Sequence, residues 1–483
     1  MSKKKILLLA DDLRLPSGIG TISKEFVLKT VHKYDWIQIG AAVKHPEQGK
    51  IFDLSEQVAK ETGVADASVK IIPWDGYGDK NILFQVIERE KPDAIFHFTD
   101  PRYWTWLYAI EHDIKTKYEL PIIYYSIWDD LPYPMWNAPF YGSCDLIMGI
   151  SKQSDNIHRE VLKQNGFVNI NLDTDGRQPD QVDSWDTVYT SYVPHGLDEQ
   201  IFKPLDSNDT EYQKLYNQLK TKNNVDFLVM WNNRNIRRKN PGDVILAFKH
   251  FRSKLPIKMQ DSVALVMHTA PVDGNGTDLR AVWKSVAPEC KILFSDQKLT
   301  AESLNAMYNV ADVVVNIASN EGWGLSNTEA LLAGTPTVVN VTGGLQDQCR
   351  FEDESGNWIT FDKEFSTNHT AKYNKHGIWV NPVFPSNRSL QGSPQTPYIF
   401  DDRVKYEDVG DAIHKWWVSS VEYRKEAGLA GREFCITHGL TSPQMGESMI
   451  KHIDFLFTKP KESRPKYTFR KVTENKYNNI GIV

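Results

Sequence analysis

One stretch constrains this chain more than any other: the apolar run Val313-Val314-Val315-Asn316-Ile317-Ala318 followed by Asn320-Glu321-Gly322-Trp323-Gly324-Leu325-Ser326-Asn327-Thr328-Glu329-Ala330-Leu331-Leu332-Ala333-Gly334. The apolar run reads as a buried strand and Ser326 to Ala333 as a helix. Gly322 and Gly324 bend the backbone between them and leave the first helical N–H groups open. A helix start of this kind attracts a phosphate through its free donors and its dipole. Glu321 falls in the loop and Glu329 about one turn into the helix, so two carboxylates flank one anion site.

Phosphate donors beside hydroxyl-binding carboxylates suit a nucleotide-sugar. The pattern Glu-Gly-Trp-Gly-Leu, then Glu329-Ala330-Leu331-Leu332-Ala333-Gly334-Thr335-Pro336-Thr337-Val338-Val339, resembles the E-x7-E signature of the retaining GT-B glycosyltransferases (glycosyltransferase group 1). That resemblance covers residues 225–345 closely and 1–205 loosely. It implies an α/β protein of GT-B architecture, with two Rossmann-like domains facing each other across a cleft.

The rest of the chain accommodates that expectation. At 483 residues it is long enough for two cores. Strand-like runs at Lys5–Ala10, Trp36–Val43, Val69–Pro73, Ala94–Phe98, Pro121–Ile127 and Leu146–Ile150 alternate with helical patterns, the first over about Thr21–Val31. A second series runs through Asp226–Trp231, Val263–His268, Ile292–Ser295, Val313–Ile317 and Thr337–Val341. Alternation of this kind argues for parallel sheets covered on both faces. The expected layout is an acceptor domain over 1–205, a linker over 206–224 and a nucleotide-sugar domain over 225–440. An insertion is expected at about 351–404, a helix crossing back to the first domain over 441–457, and a basic tail over 458–483. Val168 to Thr190, polar and rich in Asp, reads as an irregular surface excursion.

The charge of −6 gives no argument for a protein basic all over, although a local basic patch is compatible with it. Four scattered cysteines show neither metal-ligand spacing nor a disulfide framework. Ile6–Ala10 is too short for a signal h-region, and no apolar run reaches the ~18 residues of a spanning helix. The expectation is a reduced, cytoplasmic protein without a transmembrane segment.

The resemblance also assigns chemistry. Trp231-Asn232-Asn233-Arg234-Asn235-Ile236-Arg237-Arg238-Lys239 resembles the family's Arg-x4-Lys motif, with Arg234 and Lys239 at its positions. Two fixed cations stabilise a departing nucleoside diphosphate without a metal or a further cofactor. Arg237 and Arg238 are expected to face solvent. Glu329 is expected on the ribose hydroxyls, Glu321 by the donor sugar, and backbone donors near Gly324 and Leu325 on the diphosphate. Gln297 and Leu299 fall where the family reads the nucleobase. Gly18 and Gly20 resemble the first-domain glycine loop, and UDP is the default nucleotide on family grounds.

On the acceptor side the sequence departs from the family. The strand Pro121–Ile127 ends in Trp128-Asp129-Asp130 where a His followed by Asp is common, so Trp128 occupies the His position. Asp129 and Asp130 are then the available carboxylates to polarise an acceptor hydroxyl. His97 ends another strand, where a structural histidine is the competing reading. Trp136 lies in an aromatic-rich loop. The acceptor is left open among a glycan, lipid, small molecule or a hydroxymethylated base in DNA. The last fits phage-type members of the family, the aromatic face and the Lys459–Lys476 tail, which could bind nucleic acid. A nucleotide-sugar-binding module without turnover is the remaining alternative.

Overall fold

The computed structural model describes residues 3–42, 44–174, 187–359 and 370–458. The basic tail lies outside the described residues, as does most of the Asp-rich part of Val168–Thr190.

Two parallel sheets organise the chain. The first contains β1 (Lys4–Asp11), β2 (Tyr34–Ala41), β3 (Phe52–Asp53), β4 (Val69–Pro73), β5 (Ala94–Phe98), β6 (Ile122–Ser126), β7 (Leu146–Gly149), β8 (Asn169–Asn171) and β9 (Val188–Tyr192). Their order across the sheet is β3-β4-β2-β1-β5-β6-β7-β9-β8, parallel except at β3. The second contains β10 (Phe227–Asn232), β11 (Val263–His268), β12 (Ile292–Ser295), β13 (Val313–Asn316), β14 (Thr337–Asn340) and β15 (Val380–Val383), in the order β12-β11-β10-β13-β14-β15. The hydrophobic runs become strands because both faces of each sheet are covered. In β1, Ile6, Leu8 and Ala10 enter one core while Leu7 and Leu9 enter another. In β10, Leu228 and Met230 part from Val229 and Trp231 in the same way.

Two segments correct the sequence reading. Val168–Thr190 is not wholly an excursion, because Asn169–Asn171 and Val188–Tyr192 pair as strands at the edge of the first sheet. Polar side chains hid them: Asn171 Nδ2 donates to Asp155 Oδ1 at 3.0 Å, so the strand is held by hydrogen bonds as well as apolar contact. The segment 351–404 contributes β15 to the second sheet, then a hairpin of β16 (Asn387–Ser393) and β17 (Thr396–Arg403).

Carboxyl ends of the strands in the two sheets meet. A Cβ built on Gly322 would lie 3.1 Å from the Ile127 carbonyl oxygen, and one on Gly343 3.6 Å from Asp129 Oδ2. One on Gly18 would lie 3.6 Å from Leu325 Cδ1. The loops after β13 and β14 therefore abut those after β1 and β6, the arrangement in which open α/β sheets bind ligands. The final helix, Ser442–Thr458, packs on the helix Gly18–Thr30: Ser442 Oγ donates to Glu25 Oε2 at 2.6 Å, and Tyr34 Oη to Asp454 Oδ1 at 2.8 Å.

Candidate active site

The loop after β13 needs its glycines. Gly324 has φ +92°, and a Cβ there would come within 2.6 Å of Leu345 Cδ2. Gly343 likewise has a positive φ, and a Cβ on it would strike the Glu321 carbonyl oxygen. The helix Leu325–Leu332 thus begins without a side-chain cap, and the Leu325 side chain at its start lies against Gly18. Opposite it, the helix Gly18–Thr30 is capped by Ser17, whose Oγ accepts from Gly20 N at 3.0 Å. Gly20 serves that turn, since a Cβ would lie 2.3 Å from the Leu15 carbonyl oxygen.

Beside this helix start, Glu321 is buried and doubly paired. Lys239 Nζ lies 2.5 Å from both its carboxylate oxygens, and Arg238 Nη1 lies 2.8 Å from Oε2. The cations hold the Glu321 carboxyl down at about 2 against the burial that would raise it, while burial brings Lys239 down to about 8. Near neutral pH the pair is therefore ionic. Arg237–Lys239 is one 3-10 turn, which points three successive side chains in three directions. Arg237 faces outward, 3.7 Å from Asp401, and the two that follow face Glu321. Arg238 remains 44 % exposed, as the sequence reading has it, yet its guanidinium also reaches the carboxylate, which that reading did not foresee. Arg234 lies at the rim with its side chain 63 % exposed, paired to Asp273 at 2.9 Å.

Glu329 lies in a different environment. Tyr308 Oη donates to its Oε2 at 2.6 Å and Asn232 Nδ2 approaches at 3.4 Å, but no cation pairs with it among the described residues. Burial raises its carboxyl to about 7. Sequence reasoning missed Tyr308 and Asn232. Their signal was weak, because each is one polar residue inside an element otherwise explained by packing.

The first sheet supplies Asp129 and Asp130. Asp129 is pushed up to about 6, chiefly by burial, with Arg238 opposing and Glu321 adding to the rise. Its carbonyl oxygen accepts from Gln153 Nε2, and Gln153 Oε1 accepts from Gln346 Nε2 of the second half at 3.0 Å. Asp130 is raised further by burial and then by the Asp129 charge. Trp128 is buried, its Nε1 donating to the Asp130 carbonyl at 3.0 Å and its ring edge-on to Trp136 at 5.8 Å. Trp136 in turn meets Tyr398 of the hairpin at 4.4 Å.

That hairpin ties the halves together. Phe400 N donates to the Leu131 carbonyl at 2.7 Å and its own carbonyl accepts from Asn320 Nδ2 at 2.5 Å. Asp402, the partner of Arg388 at 2.8 Å, also accepts from Thr342 Oγ1 at 2.9 Å.

His97 is fully buried, its Nδ1 2.7 Å from Tyr108 Oη and its ring stacked on Tyr124. Burial drives its pKa down to about 3, so it is a neutral core residue and not part of an acceptor face. Gln297 and Leu299 follow β12 at the sheet edge, Gln297 exposed and Leu299 half-buried against the core. Among the described residues no group of three or more His, Cys, Asp or Glu is placed to hold a metal ion. No helix among them is long and apolar enough to cross a membrane.

Residues 212–366 match the family model described as "Glycosyl transferases group 1". No curated protein gives a significant match. Three solved structures resemble the whole chain at low identity. Anabaena Alr3699/HepE in complex with UDP and glucose aligns at TM-score 0.60 and 11 % identity, over 94 % of this chain and 100 % of its own. The E. coli structure described as trehalose-6-phosphate bound with UDP-2-fluoro glucose gives 0.63 and 11 %, over 93 % and 99 %. Sucrose-phosphate synthase from Thermosynechococcus elongatus gives 0.60 and 13 %, over 94 % and 100 %. The chain has the GT-B fold, and residues 212–366 are similar to the group 1 glycosyltransferases.

Proposed function

We propose that the protein transfers a sugar from a UDP-sugar to a hydroxyl acceptor, with retention of the anomeric configuration. The observation that carries this reading is the doubly paired Glu321 beside an open helix start, with the cation-free Glu329 further along the same helix. The diphosphate sits on the first N–H groups of Leu325–Leu332, opposite Gly18. Glu329 accepts hydrogen bonds from the ribose hydroxyls. Glu321, kept ionised by its cations, accepts from hydroxyls of the donor sugar.

Bond cleavage places charge on the β-phosphate. Lys239 and Arg238 supply a fixed positive field there without reorganising, which stabilises the transition state more than the ground state. Arg234, exposed at the rim and paired there with Asp273, turns to the phosphate when donor binds. A leaving phosphate oxygen takes the acceptor proton, and Asp129, ionised above about pH 6, orients the acceptor hydroxyl from the other sheet. UDP is favoured by the ligands of the solved structures above, in two of which UDP or a UDP-sugar is bound.

The test is nucleotide release from UDP-, GDP- and ADP-sugars, with and without DNA carrying 5-hydroxymethylcytosine. UDP release supports the reading. Release only with DNA makes the modified base the acceptor, and release without it directs attention to saccharide, lipid or small-molecule acceptors. No release from any donor, despite tight UDP binding, makes the protein a binding module and defeats the proposal.

A further inference from the structure

The carboxyl end of the first sheet carries a second feature that the transfer chemistry above leaves unused. Tyr77 and Tyr103 stack face to face, centroids 4.6 Å apart and planes 10° from parallel, with Tyr103 54 % exposed. The loop bearing Tyr77 is fixed over the end of β2 by Trp74 N donating to the Gly40 carbonyl and Ala42 N donating to the Gly76 carbonyl, both at 2.8 Å. Tyr77 also packs edge-on against Trp104. A stacked pair held from below, with its outer ring in solvent, is a preformed platform whose ordering cost has been met by the fold.

Next to it stands Asp11, the last residue of β1, opposite Ala41 in β2. Its neighbours balance their own charges: Arg14 pairs with Asp12 at 2.6 Å and Arg102 with Asp100. Asp11 has no ion pair among the described residues, and its carboxylate accepts from Ser17 Oγ at 3.3 Å. Burial raises its carboxyl, and its charge is felt at the Tyr77 hydroxyl. Ser17 caps the helix whose Gly18 faces Leu325, so Asp11 is one hydrogen bond removed from the donor helix start.

We infer that Asp11 and the Tyr77–Tyr103 pair form an acceptor subsite that takes an uncharged, hydroxyl-bearing ring. The ring stacks on the exposed tyrosine face and donates a hydroxyl proton to the Asp11 carboxylate, which accepts only. An unpaired carboxylate disfavours a phosphate or carboxylate at the same place. The inference rests on the transfer reading only for the step that follows binding.

Saturation-transfer NMR on the full chain with UDP present tests binding without turnover, using methyl β-D-glucopyranoside and 5-hydroxymethyl-2′-deoxycytidine as probes. One probe is expected to bind, identifying a saccharide or a modified base as the source of the ring. Its Kd is expected to rise at least tenfold in Tyr103→Ala and in Asp11→Asn, and to stay within twofold in Tyr103→Phe. Tyr103 is exposed, so its variant keeps the native Tm even where Asp11→Asn does not. Absence of binding by both probes, or binding indifferent to Tyr103→Ala, overturns the subsite. Failure to bind UDP, read separately by calorimetry, counts instead against the transfer reading.

Discussion

Arg238 Nη1 stands 2.8 Å from Glu321 Oε2, although the two residues leave different strands and lie 83 positions apart. With Lys239 on the same carboxylate, the contact joins the loop after β10 to the loop after β13, where the sheets meet. The two cations face Glu321 and, from the other sheet, Asp129, so fixed positive groups balanced by two carboxylates stand at this point. Removing one partner of such a buried group costs more than the pair's net worth, because the remaining charge is left uncompensated.

Lys239→Ala and Arg238→Ala are each expected to lower kcat by about 100- to 1,000-fold, the scale for losing one preorganised electrostatic donor. UDP affinity should fall by less than tenfold. Arg234→Ala, at the exposed rim, should cost less in kcat than either. Steady-state kinetics with calorimetric UDP titration checks this, and equal losses in rate and affinity would remove the transition-state role.

Activity should follow a bell-shaped pH dependence. Asp129, raised to about 6, is ionised and able to orient a hydroxyl above that pH, so the rate rises through it. Lys239, lowered to about 8, loses its proton above that pH, so the rate falls again. Asp129→Asn should remove the step near 6 from the acid limb, leaving that of Glu329 near 7 and the alkaline limb in place. A pH–rate profile of kcat/KM for wild type and variant is the measurement.

UDP binding near pH 7 should release protons. Glu329 is half-protonated at about 7 in the free protein, and hydrogen bonds from ribose favour its ionised form, lowering that pKa. Calorimetry in two buffers of different ionisation enthalpy measures the release. It should disappear in Glu329→Gln, and proton uptake in the wild type would contradict the ribose assignment.

Gly324→Ala should be markedly more destabilising than Gly63→Ala. Both have positive φ, +92° and +74°, and share a backbone penalty of about 1–2 kcal/mol. Only at Gly324 does the added Cβ meet a neighbour, Leu345 Cδ2 at 2.6 Å, whereas nothing lies within 4 Å at Gly63. Thermal unfolding of the two variants compares them directly.

Hydrophobic runs and glycine loops made the sheets legible, since eleven strands of those runs depend on burial that periodicity records. Strands whose residues are polar, such as Asn169–Asn171 and Asn387–Ser393, were not, because hydrogen bonds and one exposed face hold them. Glu321 and Glu329 were singled out by their spacing together with the family resemblance. Arg238 was not: three consecutive cations look alike in sequence, and only the 3-10 turn decides which reach the carboxylate. His97 shows the converse, a strand-end residue with catalytic chemistry that the fold encloses among Trp104, Tyr108 and Tyr124.

The most direct measurement is NMR of the anomeric proton and carbon in the product formed from an α-linked UDP-sugar donor. Transfer with an α-linked product, lost together with kcat in Lys239→Ala while UDP still binds, is the result expected of the site around Glu321. A β-linked product, or no product from any nucleotide-sugar under conditions in which UDP binds, would contradict it.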